Sequence, residues 1–201
     1  MLEIGRIAVC NTDLLSQMSL DEVLEIHPLI DPSMLDFVSV QKTKPIKVKP
    51  LSTILVDDSV ASKVLLATLE GNQTLKANSF VCWGVGNDVW QQSSKNLNSK
   101  YDFVSVDDDG WMHFTPKANN PVLACQITES VRREFETASG MSPFGGWSIV
   151  NPSWGDERVL NGKQIYLHYG KVGDYVMKGA SGPDDFYRIE KSFFDNTYEF
   201  V

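Results

Sequence analysis

By type, two histidines and one aspartate are the residues of this chain best suited to moving protons. His113 and His168 each lie near aromatic residues in strand-like stretches, and Asp174 follows Gly173 where another strand begins. An imidazole beside a carboxylate can act as a general acid or base near neutral pH. That chemistry also needs a nucleophile at a fixed place, and the chain holds no Gly-x-Ser-x-Gly and no His-Glu-x-x-His. The two histidines therefore read as partly buried structural side chains. Asp174 reads as a turn residue whose carboxylate caps its own backbone.

Metal chemistry finds no better footing. A structural zinc wants four Cys or His ligands at close spacing. The three cysteines, Cys10, Cys82 and Cys125, are far apart and odd in number, so they form neither a Cys-x-x-Cys pair nor a disulfide framework. They read as buried thiols in a reducing compartment. Asp107-Asp108-Asp109-Gly110 lacks the alternating ligands and late Glu of a calcium loop and reads as a solvated hairpin turn. The glycines between Gly140 and Gly146 lead into a strand rather than a helix, so they do not cradle phosphate. No cofactor, no metal and no hydrolytic turnover are expected.

Binding chemistry is better supplied. Five tryptophans, Trp83, Trp90, Trp111, Trp147 and Trp154, are available to anchor a core or a contact surface. Trp154 lies in the loop-like Asn151-Pro152-Ser153-Trp154-Gly155, with Trp147 and Arg158 close by in sequence. A loop Trp fits a pocket wall or partner contact more readily than a strand Trp does.

Net charge −8 in 201 residues argues against general nucleic-acid binding and against docking on anionic lipid. The first residues have no cationic stretch followed by a long apolar one, and no apolar run reaches the ~20 residues of a membrane helix. A cytoplasmic protein is expected.

The elements that must position these residues are mostly strands. Ile7–Cys10 is a short strand candidate. Ser19 and Glu22 have capping-box spacing for a helix that Pro28 stops, with His27 on the solvent side of its C-terminal end. Lys42 to Pro50 alternates lysine with apolar residues or proline, the pattern of an edge strand or linker. From Lys63 the pattern is short strands and turns, interrupted by helices over Ser93 to Lys100, Glu129 to Ala138 and Lys191 to Asn196.

Within this pattern one unit recurs. Tyr101-Asp102-Phe103-Val104 matches Tyr198-Glu199-Phe200-Val201 at an offset of 97, and at that offset Trp90 aligns with Tyr187 and Leu97 with Phe194. Upstream the offset becomes 95 and aligns Phe80-Val81-Cys82 with Tyr175-Val176-Met177. The expected fold is α+β: β-rich, with antiparallel sheets, short helices and two divergent copies of one small unit. Three segments follow: a strand-helix segment and linker over 1–58, a first copy over 59–118 and a second over 119–201. A unit this small is marginal alone and gains from sharing a core.

Val172-Gly173-Asp174-Tyr175-Val176-Met177-Lys178-Gly179, then Phe186-Tyr187-Arg188-Ile189, then Thr197-Tyr198-Glu199-Phe200-Val201 resembles the PGDYG-type domain, with Val172 in place of the leading proline. That small domain is common in bacteriophages and prophages. The resemblance covers residues 160–201 and implies a phage or mobile-element origin, hence the host cytoplasm, but no reaction. Three functions are open. The first is a binding protein that engages or inhibits a host protein, a defence protein among the candidates, through the loops from Ser139 to Gly155 and its aromatic strand faces. The second is a binder that sequesters a nucleotide-like molecule between the two copies, with Lys178 or Arg188 meeting phosphate. The third is an enzyme of unfamiliar type. The candidate binding residues are Trp147, Trp154, Arg158, Asp174, Tyr175, Lys178, Tyr187 and Arg188. A homo-oligomer is compatible with all three.

Overall fold

A computed structural model describes residues 17–55, 65–68, 71–135, 146–150, 156–179 and 185–201. The strand candidate Ile7–Cys10, most of the 139–155 loops and Trp154 lie outside the described residues. The chain is β-rich, with antiparallel-dominated sheets and a few short helices. No helix among the described residues is long and apolar enough to cross a membrane.

Helix α1 (Leu20–Ile26) begins with the capping box, Ser19 and Glu22 each satisfying a backbone N–H of the other. Pro28 then turns the chain into β1 (Leu29–Ile30). Strands β2 (Val38–Lys42) and β3 (Ile46–Pro50) follow, then a hairpin of β4 (Leu65–Thr68) and β5 (Gly71–Thr74). Next come β6 (Ser79–Trp83), β7 (Val89–Ser93), α2 (Ser94–Lys100), β8 (Tyr101–Val106) and β9 (Met112–Pro116). The chain continues with β10 (Val122–Gln126), α3 (Glu129–Glu134), β11 (Gly146–Val150), β12 (Asp156–Leu160) and β13 (Lys163–Lys171). It ends with β14 (Tyr175–Lys178), β15 (Phe186–Ile189), α4 (Lys191–Thr197) and β16 (Tyr198–Phe200).

Two five-stranded sheets carry the centre of the molecule, ordered β7-β6-β3-β9-β8 and β15-β14-β10-β2-β16, every pair antiparallel. Their pairings correspond residue by residue. Cys82 faces Val48 and Trp90 in the first sheet, where Met177 faces Ala124 and Tyr187 in the second. Tyr101 faces Pro116 as Tyr198 faces Lys42. Backbone bonds outside the ladders correspond as well: Lys117 N–H donates to Lys100 C=O as Thr43 N–H does to Thr197 C=O, and Gly84 N–H to Asp88 C=O as Gly179 N–H to Asp185 C=O.

The connectivity is crossed. β3 sits with β6–β9, whereas β2 takes in the second sheet the place that β9 takes in the first. The stretch from Lys42 to Pro50 is therefore neither an edge strand nor a linker. β3 is the central strand of its sheet, paired on both sides. Its prolines do not prevent this, because Pro45 precedes the strand and Pro50 ends it.

Each sheet packs a helix on one face. Leu97 of α2 seals Val48, Cys82 and Phe114, and Phe194 of α4 seals Ala124, Met177 and Val40. On the opposite faces, Val81 packs with Leu51 and Leu75, while Val176 packs against Trp147, Ile149 and Ile30 of the sheet β1-β11-β13-β12.

His27 is buried, not on the solvent side of the helix end. β1 pairs in parallel with β11, and this draws the ring onto Gly146, with Nδ1 3.4 Å from Ser148 Oγ.

Candidate functional site

The candidate site is a cleft lined by residues of both five-stranded sheets. Val89–Ser93 and Phe186–Ile189 are short strands, and the residue before each is an aspartate, Asp88 and Asp185. Period-2 alternation then sets Trp90 and Tyr187 at corresponding places. Helices α2 and α4 each end at a tyrosine, Tyr101 and Tyr198, which starts the next strand. These six side chains line one cleft of about 850 Å³, together with Lys42 and Lys100.

Lys42 connects the two halves. It belongs to β2 in the second sheet, but its ammonium stands 4.4 Å from the Trp90 ring centroid and 5.7 Å from that of Tyr101, both in the first sheet. Tyr198 closes the cage at 5.9 Å. Tyr187 and Tyr198 hydroxyls lie 3.5 Å apart.

Neither Lys42 nor Lys100 makes an ion pair or side-chain hydrogen bond among the described residues, although each is half-buried. Burial lowers the pKa of Lys100, an effect that Asp185 opposes and Lys42 reinforces. Burial raises that of Asp88, against the field of Lys42. Tyr101, Tyr187 and Tyr198 are all pushed up by burial, so all three remain neutral hydroxyl donors. The cleft, whose lining also includes Lys76, Lys117, Glu157 and Tyr166, thus offers the ammonium groups of Lys42 and Lys100, the carboxylates of Asp88 and Asp185, phenol hydroxyls and an indole face, with Lys42 and Lys100 lacking direct carboxylate partners. An anionic group would satisfy them.

Of the residues chosen from sequence, Tyr187 lines this cleft. Asp174 and Arg188 instead form a buried pair: Arg188 Nε and Nη2 donate to one Asp174 oxygen at 3.0 and 2.7 Å. The same carboxylate accepts the backbone N–H groups of Lys171 and Lys191. His168 comes near this pair, accepting the Arg188 backbone N–H at 3.2 Å. Every contact here is internal, and the group holds a turn, a strand and a helix start together. In the first sheet the place of Arg188 is taken by Gln91, whose side chain accepts from Lys76 N–H and donates to Thr74 C=O. The same backbone job is done there without charge.

Trp147 is fully buried, its indole N–H donating to Lys171 C=O at 2.8 Å. Tyr175 is buried with its ring stacked on Phe194 at 3.6 Å. Arg158 donates to Met18 C=O and to the Tyr169 hydroxyl. Lys178 stands over Phe186 at 5.5 Å. These four are drawn into local packing, away from the inter-sheet cleft. His113 bonds Asp107 at 2.8 Å in the exposed hairpin turn, where Asp107 also accepts the N–H groups of Asp109 and Trp111. No group of three His, Cys, Asp or Glu comes together as metal ligands among the described residues.

Sequence reasoning missed Lys42, Asp88, Lys100 and the convergence of the aromatics. A signal existed: Asp-x-aromatic and the tyrosine after each helix recur at the same offset of 97, as Asp88/Asp185, Trp90/Tyr187 and Tyr101/Tyr198. Nothing local revealed that the recurring residues face one another. The chain matches no protein-family model, no curated protein and no solved structure.

Proposed function

We propose that this protein is a binder of a small, planar, anionic molecule of the nucleotide kind, held in the cleft between its two five-stranded sheets. The observation that carries the reading is the pair of half-buried ammonium groups, Lys42 and Lys100, without carboxylate partners beside Trp90, Tyr101, Tyr187 and Tyr198. A half-buried ammonium without a carboxylate partner keeps unmet hydrogen-bonding capacity, and a ligand phosphate would meet it. The aromatic groups suit a flat base. The cleft volume, about 850 Å³, falls in the range of small-molecule sites. Nothing in this reading requires a reaction. The near one-to-one matching of pairings between the two sheets also supports two divergent copies of one unit, with the ligand at their junction.

Engagement of a host protein was expected through the loops between Ser139 and Gly155. Most of these lie outside the described residues.

The test is thermal unfolding against a panel of nucleotides and organic phosphates. A ligand present at about 100 times its Kd adds about 2.7 kcal/mol and raises the midpoint by several degrees. Lys42→Met and Lys100→Met should abolish the rise while each variant still unfolds cooperatively. If no member of the panel moves the midpoint, or if the rise survives both substitutions, the proposal is wrong.

A further inference from the structure

We propose that the ligand is of the dinucleotide class: two bases bearing amino groups, joined through phosphate. This rests on the cleft-binding reading above and goes further by assigning a place to each half of the ligand.

Some lining residues are doubled across the cleft and others are single. A carboxylate and an aromatic recur on both sides of the cleft, Asp88 with Trp90 on one and Asp185 with Tyr187 on the other. Trp90 and Tyr187 hold the same register position in their sheets, and Asp88 and Asp185 accept at their backbone C=O from corresponding glycines, Gly84 and Gly179. Lys42 and Lys100 do not recur. Lys42 corresponds to Pro116, and Lys100 to Thr197. Both single lysines sit at the junction. Lys42 spans it through its ring contacts with both sheets. Lys100 belongs to the first sheet's helix and feels the charge of Asp185 from the second.

A ligand that satisfies this layout is charged in its middle and alike at its ends. Phosphate at the junction meets the two ammonium groups. A base extending to either side meets a ring and a carboxylate, and a carboxylate accepts hydrogen bonds from an exocyclic amino group. A mononucleotide would use one side only. Linear and cyclic dinucleotides share the required chemistry.

Calorimetric titration of the full chain decides it, with AMP, linear diadenylate, cyclic diadenylate and cyclic diuridylate as probes. One diadenylate per chain should bind at least about 100-fold more tightly than AMP, because the second half binds as part of the same molecule. The linear and cyclic forms then show which linker the junction prefers. Asp88→Asn and Asp185→Asn should each weaken diadenylate by about tenfold, with diuridylate much less affected. Circular dichroism and the unfolding midpoint confirm that both variants fold. If AMP binds as tightly as diadenylate, or two AMP bind independently, the dinucleotide inference fails while the cleft reading stands. Absence of binding by every nucleotide overturns both.

Discussion

The ammonium of Lys42 lies over the ring of Trp90, 4.4 Å from its centroid, although the two residues belong to different sheets. This contact ties β2, which precedes the first sheet in the chain, to β7 within it. It also fixes the place of a cation at the centre of the cleft. Removing it should affect both stability and binding.

Lys42→Met keeps the length of the side chain and loses the charge. A cation over aromatic rings contributes about 0.5–2 kcal/mol according to its exposure. The urea midpoint should fall by that free energy divided by the slope m, with the slope unchanged. A midpoint equal to that of the parent would show that the cage contributes nothing to the fold.

Asp174 is fully buried and binds Arg188 together with two backbone N–H groups. Removing one partner of a buried pair typically costs about 3–5 kcal/mol, since the other is left charged and unsatisfied. Asp174→Ala should therefore unfold the chain at much lower denaturant. The double variant Asp174→Ala with Arg188→Leu should recover part of the loss. A single variant as stable as the parent would reopen the question of a working role for this carboxylate.

His27 gives a dependence on acid. Burial, with the nearby Arg132 charge, lowers its pKa from 6.5 to about 4. Between those values the unfolded chain takes up a proton that the folded chain refuses, so stability rises with pH across this window. The contribution is complete above about pH 6.5 and is lost as pH falls toward 4, to a total of about 3 kcal/mol. Replacing His27 with Gln should flatten the melting temperature between pH 4 and 6.5. An equally steep profile in the variant would assign the dependence to other groups.

Gly170 lies under the Trp147 ring, where an added Cβ would come within 2.1 Å of Cζ2. Both residues are in paired strands with no room to part. Gly170→Ala should cost about 1–3 kcal/mol or more and alter the near-ultraviolet signal of Trp147. Gly162, where nothing lies within 4 Å, serves as a contrast for crowding: Gly162→Asn should be tolerated, since Asn accepts its positive φ. Equal losses at both sites would refute the packing argument.

Much of the local structure was legible in the chain. Tyr175–Lys178 and Phe186–Ile189 are strands with the bounds their composition suggests, and Ser93 caps the helix that its neighbours propose. Short-range physics decides such features: alternation, turn residues and caps depend on neighbours a few positions away.

The β-rich class and the absence of a catalytic motif were likewise determined by residue types alone. Which strands share a sheet was decided only in three dimensions. The lysines of β3 looked like edge protection, and β3 became a central strand because β6 and β9 come to it from far along the chain. Asp174 and Tyr187 looked equivalent as candidates, yet one is sealed inside a turn and the other faces a cleft. Lys42 entered the site only because β2 crosses to the second sheet and pairs with the last strand. Periodicity shows which face of a strand is apolar but not which partner covers it. That choice depends on long-range pairing and on closing the loops between distant strands, and it is what brings two lysines, two aspartates and four aromatic rings from opposite halves of the chain into one cleft.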